Sequence, residues 1–275
     1  MSTPIRVGAV SYLNAKPLYY RFDEFAPGVS LEMDVPSRLA DRLAAGTLDL
    51  ALIPSVEYLR GASTGYEILP GFAIAARGAV RSVKLFSRVP FDGIERLALD
   101  AGSRTSQALA RVWLDAAHDV RPRRIELLPM GVPVEESTAD AVLLIGDRAM
   151  TVAPAPFHAV VDLAEAWNVM TGLPFVFALW VARPGLDLGD LPGALARCRD
   201  QGLAHADALA AEHGPRLGLD AATCYDYLTR ALSYDLGDPE IAGLRRFARM
   251  AARLGIAPEG VNLVFHRRRD LAAHR

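Results

Sequence analysis

An α/β fold is predicted by three observations. Short apolar runs of strand length alternate with helical patterns over the first two thirds of the chain, small polar clusters stand where several of those runs end, and the C-terminal third carries apolar residues at helical spacing. Ligands of open α/β sheets collect outside the carboxyl ends of the strands. The polar clusters are therefore also where a site is expected.

The elements follow in chain order. Residues 5–11 read as a strand, with the polar cluster Ser11-Tyr12-Leu13-Asn14 at its end. A short helix follows Asn14 despite Pro17, since proline is tolerated in a first turn. Ser11 and Asn14 are candidate ligand contacts there, although capping that helix would employ either residue equally well. Residues 30–35 read as a second strand. Pro36-Ser37 opens a helix with Ser37 as its N-cap, Leu39 and Leu43 on one face, and Gly46 at the position of a terminating glycine. Residues 48–53, interrupted by Asp49, suit a buried parallel strand. Pro54-Ser55 comes next, so in a parallel sheet Ser55 joins Ser11 and Asn14 on one rim.

The middle of the chain repeats this arrangement. Residues 97–100 read as a strand, followed by Ala101-Gly102-Ser103-Arg104-Thr105-Ser106 and a helix through Leu109, Val112, Trp113 and Ala116. Hydroxyls of Ser103, Thr105 and Ser106 beside unpaired N–H groups make an anion-binding shape that suits a carboxylate, while capping alone accounts for Ser103. It is not a nucleotide phosphate loop, because the G-x-x-x-x-G-K-[ST] spacing and its lysine are missing. Further strands are expected at 125–128, 141–145 and 159–161, with 175–182 returning as an apolar segment. Residues 195–211, 222–232 and 239–254 read as helices. No internal repeat is visible, and 87–93 and 183–189 are the best candidate crossover regions.

Composition narrows the class. A chain of 275 residues, 51% hydrophobic and 23% charged, can bury the core of one large or two ordinary domains and is unsuited to disorder. With 30 basic and 32 acidic residues and a net charge of −2, there is no electrostatic footprint for nucleic acid. The basic run His266-Arg267-Arg268-Arg269 reads as a solvated C-terminal end. Cys198 and Cys224 lack metal spacing and read as reduced, partly buried thiols. Strand-like sequence already at Ile5 leaves no room for an export leader, and no stretch has membrane length, so a cytoplasmic protein without a membrane partner is expected.

The G-x-S-x-G, H-E-x-x-H and G-x-G-x-x-G patterns are all missing. The six histidines, at 118, 158, 205, 213, 266 and 274, are scattered and read as surface residues. Any enzyme here works with hydroxyls, amides, backbone donors or its own substrate. Glu57, Asp147, Lys16 and Arg81 are conspicuous charges near expected strand ends, but each has an ordinary role in ion pairing, capping or solvation. Trp167 reads as packing.

Four segments together resemble the chorismate dehydratases of the menaquinone pathway: Ser11-Tyr12-Leu13-Asn14, Asp49-Leu50-Ala51-Leu52-Ile53-Pro54-Ser55-Val56-Glu57-Tyr58, Arg81-Ser82-Val83-Lys84-Leu85-Phe86-Ser87 and Leu144-Ile145-Gly146-Asp147. Asp162-Leu163, Glu165-Ala166-Trp167 and the run Thr171 through Ala178 extend the likeness into the second half. The resemblance implies a type II periplasmic-binding-protein-like fold, α/β, with two lobes joined by two crossovers. Residues 1–90 with 184–275 would form one lobe and 91–183 the other, with the ligand between them. It implies conversion of chorismate into 3-[(1-carboxyvinyl)oxy]benzoate and water on the futalosine route, with no metal or organic cofactor. Asn14 and Ser82 carry over as the central site residues, Asn14 orienting the substrate or its leaving hydroxyl and Ser82 bonding a carboxylate. The resemblance also permits the substrate's enolpyruvyl carboxylate to take the proton, and leaves the identity of the base open. Ser103, Thr105 and Ser106 would receive the other carboxylate, by position alone. A sister enzyme making 1,4-dihydroxy-6-naphthoate usually has a Ser-Pro-Cys-Pro-Asn type segment in place of Ser11 to Asn14, and a non-enzymatic carboxylate-binding protein shares the scaffold.

Overall fold

Ten strands organise residues 5–267, the part of the chain that the computed structural model describes: β1 (Arg6–Val10), β2 (Ser30–Asp34), β3 (Leu50–Pro54), β4 (Glu67–Ala76), β5 (Val83–Ser87), β6 (Arg96–Asp100), β7 (Arg124–Leu128), β8 (Ala141–Ile145), β9 (Ala159–Asp162) and β10 (Phe175–Ala182). They build two five-stranded sheets, ordered β2-β1-β3-β10-β4 and β7-β6-β8-β5-β9. In the first, β1 pairs parallel with β2 and β3, and β10 lies antiparallel between β3 and β4. The second repeats the plan, with β6 parallel to β7 and β8 and β5 antiparallel between β8 and β9. Each lobe thus receives its antiparallel fourth strand immediately after the chain crosses over. Arg268, Arg269 and His274 of the sequence reading lie outside the described residues.

The crossovers correct the expected boundaries. The chain passes between sheets at 77–82 and again after the helix Leu163–Thr171, not at 87–93 and 183–189, because β5 pairs with β8 and β9 while β10 pairs with β3 and β4. Residues 83–90 therefore belong with the lobe assigned to 91–183, and 175–183 with the other. The Pro90 to Gly93 segment is a turn inside one lobe. Strands β4 and β5 were not anticipated, and the expected 195–211 helix divides at His205 into Leu191–Ala204 and Ala206–His213.

Burial holds these elements in place. β3 is buried along its whole length, as a central strand covered on both faces requires. The helix Pro36–Ala44 inserts Leu39 and Leu43 fully into the core, each contributing about 1.5–3 kcal/mol of burial. Its N-cap is Val35 and not Ser37, since Pro36 at the first helical position has no N–H to satisfy. The 3₁₀ segment Leu13–Tyr19 is pressed against the helix Leu191–Ala204, where a Cβ on Gly202 would stand 2.5 Å from Pro17 Cα. Trp167 is fully buried, donates to Pro174 O at 3.2 Å and packs edge-on to Phe175, so it is a packing residue. No helix among the described residues is long and apolar enough to cross a membrane.

Candidate functional site

The carboxyl ends of β1, β3, β6 and β8 face one another across a cleft of about 260 Å³, a size for a small metabolite. Val10, Pro54, Asp100 and Ile145, the last residues of those strands, all line it. The two lobes meet closely around this space. Tyr12 from the first lobe donates its hydroxyl proton to Met130 Sδ of the second at 3.5 Å, and a Cβ on Gly102 would come within 3.2 Å of the Tyr12 oxygen. Arg104 of the second lobe also bridges to the first, with ion pairs to Asp41 at 2.9 Å and Glu57 at 3.3 Å.

Ser11, Asn14, Ser82, Ser103 and Ser106 are brought together on the walls of the cleft. Asn14 stands in the first turn after β1, and its Oδ1 is buried without a hydrogen-bond partner among the described residues. Ser82 ends the first crossover. Its carbonyl accepts from Gly146 N at 2.8 Å, and the two preceding amides, Val80 N and Arg81 N, donate to Asp162 at 3.2 and 2.5 Å. Arg81 adopts φ 65°, a left-handed conformation that is uncommon outside glycine and concentrates at functional sites. Opposite them, the helix Arg104–His118 points its amino end into the cleft, capped by Ser103, whose Oγ accepts from Ser106 N at 3.2 Å and lies 2.9 Å from Ser106 Oγ.

Ser55 and Thr105 do not line the cleft. The fully buried Ser55 hydroxyl donates to Val176 O at 2.7 Å, and Thr105 Oγ1 accepts from Val56 N at 3.3 Å, so both hydroxyls serve packing between backbone segments. Of the conspicuous charges, Asp147 lines the cleft. Glu57 is paired with Arg60 and Arg104, Lys16 lies over the Tyr19 ring, and Arg81 is exposed outside the cleft lining.

Three lining groups escaped the sequence reading of the site. Arg148, one residue beyond the Ile145-Gly146-Asp147 segment, supplies a cation, and its guanidinium donates to Asp100 at 3.3 Å and to Val132 O. Asp100 is fully buried and accepts from Gly102 N at 2.9 Å. Burial pushes its carboxyl pKa above the usual range despite those N–H groups and Arg148. The third is Tyr227, at the start of a π-helical turn, whose hydroxyl donates to Ser82 Oγ at 2.8 Å. Burial pushes the Tyr227 pKa up to about 12, against the opposing pull of Ser82 and Asn14.

Polar donors and one guanidinium at the junction of two lobes suit a small anion, and the architecture is that of the periplasmic-binding-protein-like fold. A protein of Archaeoglobus fulgidus superposes with a TM-score of 0.70 at 18% identity, covering 92% of this chain and 98% of that one. The periplasmic aliphatic sulphonate binding protein SsuA of Escherichia coli gives 0.65 at 12% identity, covering 100% and 97%. These likenesses show the fold. The sequence matches the menaquinone biosynthesis family over residues 5–253, and the chain belongs to that family. It is similar to the chorismate dehydratase of Thermus thermophilus, 32% identical over 277 residues that cover 93% of this chain and 97% of the relative. A chorismate dehydratase of Campylobacter jejuni is 27% identical over 177 residues, covering 62% and 64%.

Proposed function

We propose that this protein is a chorismate dehydratase, a hydro-lyase that forms 3-[(1-carboxyvinyl)oxy]benzoate and water from chorismate on the futalosine route to menaquinone. The similarity to the Thermus enzyme along nearly the whole chain carries this reading. The cleft supplies what the reaction asks for. Chorismate loses its C4 hydroxyl and its C3 proton, the ring becomes aromatic, and no net oxidation occurs, so the work is to hold a dianion and guide one proton. Positioning alone is worth several kcal/mol in such a step.

Ser82 bonds one carboxylate, and Asn14 Oδ1 accepts from the C4 hydroxyl, which orients the leaving oxygen. The amino end of the helix Arg104–His118, with Ser103 and Ser106, receives the second carboxylate, assisted by Arg148. Asp100 is committed to Arg148 and two backbone N–H groups, and Asp147 also lines the cleft. In this scheme, which follows the resemblance, the enolpyruvyl carboxylate of the substrate takes the C3 proton, and that proton departs with the C4 hydroxide as water. Incubating the purified protein with chorismate and separating the products by chromatography tests it: accumulation of the enolpyruvyl benzoate is expected, and binding without turnover would favour a non-enzymatic carboxylate-binding protein.

A further inference from the structure

A hydroxyl group has one proton and two lone pairs, so its partners fix its direction. Tyr227 is 3% exposed, and with its pKa pushed up to about 12 it keeps its proton throughout the physiological range. That proton goes to Ser82 Oγ, 2.8 Å away and 145 residues distant in the chain. Asn14 Oδ1, on the wall of the same cleft, is a buried acceptor without a partner among the described residues. Tyr227 opens the π-helical turn Tyr227–Ala231, where Leu232 N donates to Tyr227 O at 3.2 Å across five residues. Such widened turns recur at functional sites.

We propose that Tyr227 is a positioning residue that sets the hydrogen-bond polarity of the cleft: by donating to Ser82 it turns the Ser82 proton toward the ligand, beside Asn14 Oδ1 as the acceptor. The site then offers one fixed donor and one fixed acceptor. It selects a ligand with an unprotonated oxygen at Ser82 and a hydroxyl at Asn14, which is the chemistry of a hydroxy-carboxylate. The identification of that ligand as chorismate rests on the dehydratase reading; the polarity itself does not.

The test is a kinetic cycle on chorismate with the wild type, Tyr227→Phe, Ser82→Ala and the double variant, each checked for its thermal melt. Each single change is expected to lower kcat/KM about tenfold to a hundredfold, the range for one hydrogen bond to a charged group. Because Tyr227 acts through Ser82, the double variant is expected to lie within about twofold of Ser82→Ala, a non-additivity that a merely structural tyrosine would not produce. Wild-type kinetics for Tyr227→Phe, or losses that multiply, would overturn the inference. Should Tyr227→Phe fail to fold, 4-aminophenylalanine at 227 keeps shape and donor; retained turnover supports the assignment, and lost turnover in a folded protein overturns it. If the wild type does not turn over chorismate, the dehydratase reading falls. The same non-additivity is then read from calorimetric affinities for 3-(carboxymethoxy)benzoate, and absence of wild-type binding overturns both.

Discussion

Asn14→Leu separates function from folding at the centre of the cleft. Asn14 Oδ1 is buried without a hydrogen-bond partner among the described residues, a condition that costs about 1–3 kcal/mol. Leucine has nearly the same volume and removes that cost together with the roughly 1 kcal/mol that a polar amide N–H contributes, so stability should be unchanged or rise by up to about 2 kcal/mol. For a chain of this size each 1 kcal/mol moves the melt by about 2–4 °C, and the variant should melt between the wild-type temperature and about 8 °C above it. Turnover should move the other way. A substrate hydroxyl left without its acceptor in a closed cleft loses about 2–3 kcal/mol of transition-state stabilisation, or roughly 30-fold to 150-fold in kcat/KM. Initial rates of chorismate consumption and a calorimetric melt on one preparation decide the matter. A melt lowered by several degrees with normal kcat/KM would make Asn14 a structural residue and refute the argument.

Ser55→Ala should behave in the opposite way, losing about 1–3 kcal/mol of stability with kcat/KM within about twofold of wild type, because the hydroxyl is spent on Val176 O. A variant of native stability with tenfold lower turnover would return Ser55 to the site. Stability toward acid should depend on Asp49, whose carboxyl is held below its ordinary value of 3.8, first by hydrogen bonds from Arg6. The folded state favours the ionised form, so this contribution is present above pH 3.8 and lost as pH falls through the depressed native value. Urea midpoints should accordingly show Asp49→Asn below the wild type at neutral pH with the gap closing in acid, and a gap independent of pH would count against the pairing.

Local signals made part of this site legible. Ser11, Asn14, Ser103 and Ser106 follow apolar runs directly, and the rule that ligands gather at strand ends needs no long-range information. Ser55 and Thr105 satisfy the same rule but are turned into the protein; direction depends on partners far along the chain, Val176 for Ser55 and Val56 for Thr105. Tyr227 looks like any core aromatic in a helical pattern until its partner across 145 residues is known. Arg148 becomes a site residue only because β6 and β8 are neighbours, which brings it to Asp100. β4 was hidden by Pro70-Gly71, a turn signal in most contexts, and it accommodates proline because it lies at the sheet's edge. The common strand order of the two sheets left no repeat in the sequence, since a topology can recur without any recurrence of side chains.

The two crossovers also order the events of synthesis. Strands β5 through β9 form an unbroken stretch, residues 83–162, so every pairing of the second sheet is available as soon as that stretch has emerged. The first sheet has no such independence. Its strand β10 belongs between β3 and β4, and until residue 182 is made those two strands have no shared neighbour and β4 is left without a sheet partner. Domains commonly fold as units while the chain grows, and here the inserted lobe can do so while its host waits. The last-made helices then bring Tyr227 to Ser82, so the cleft acquires its polarity only after both lobes exist.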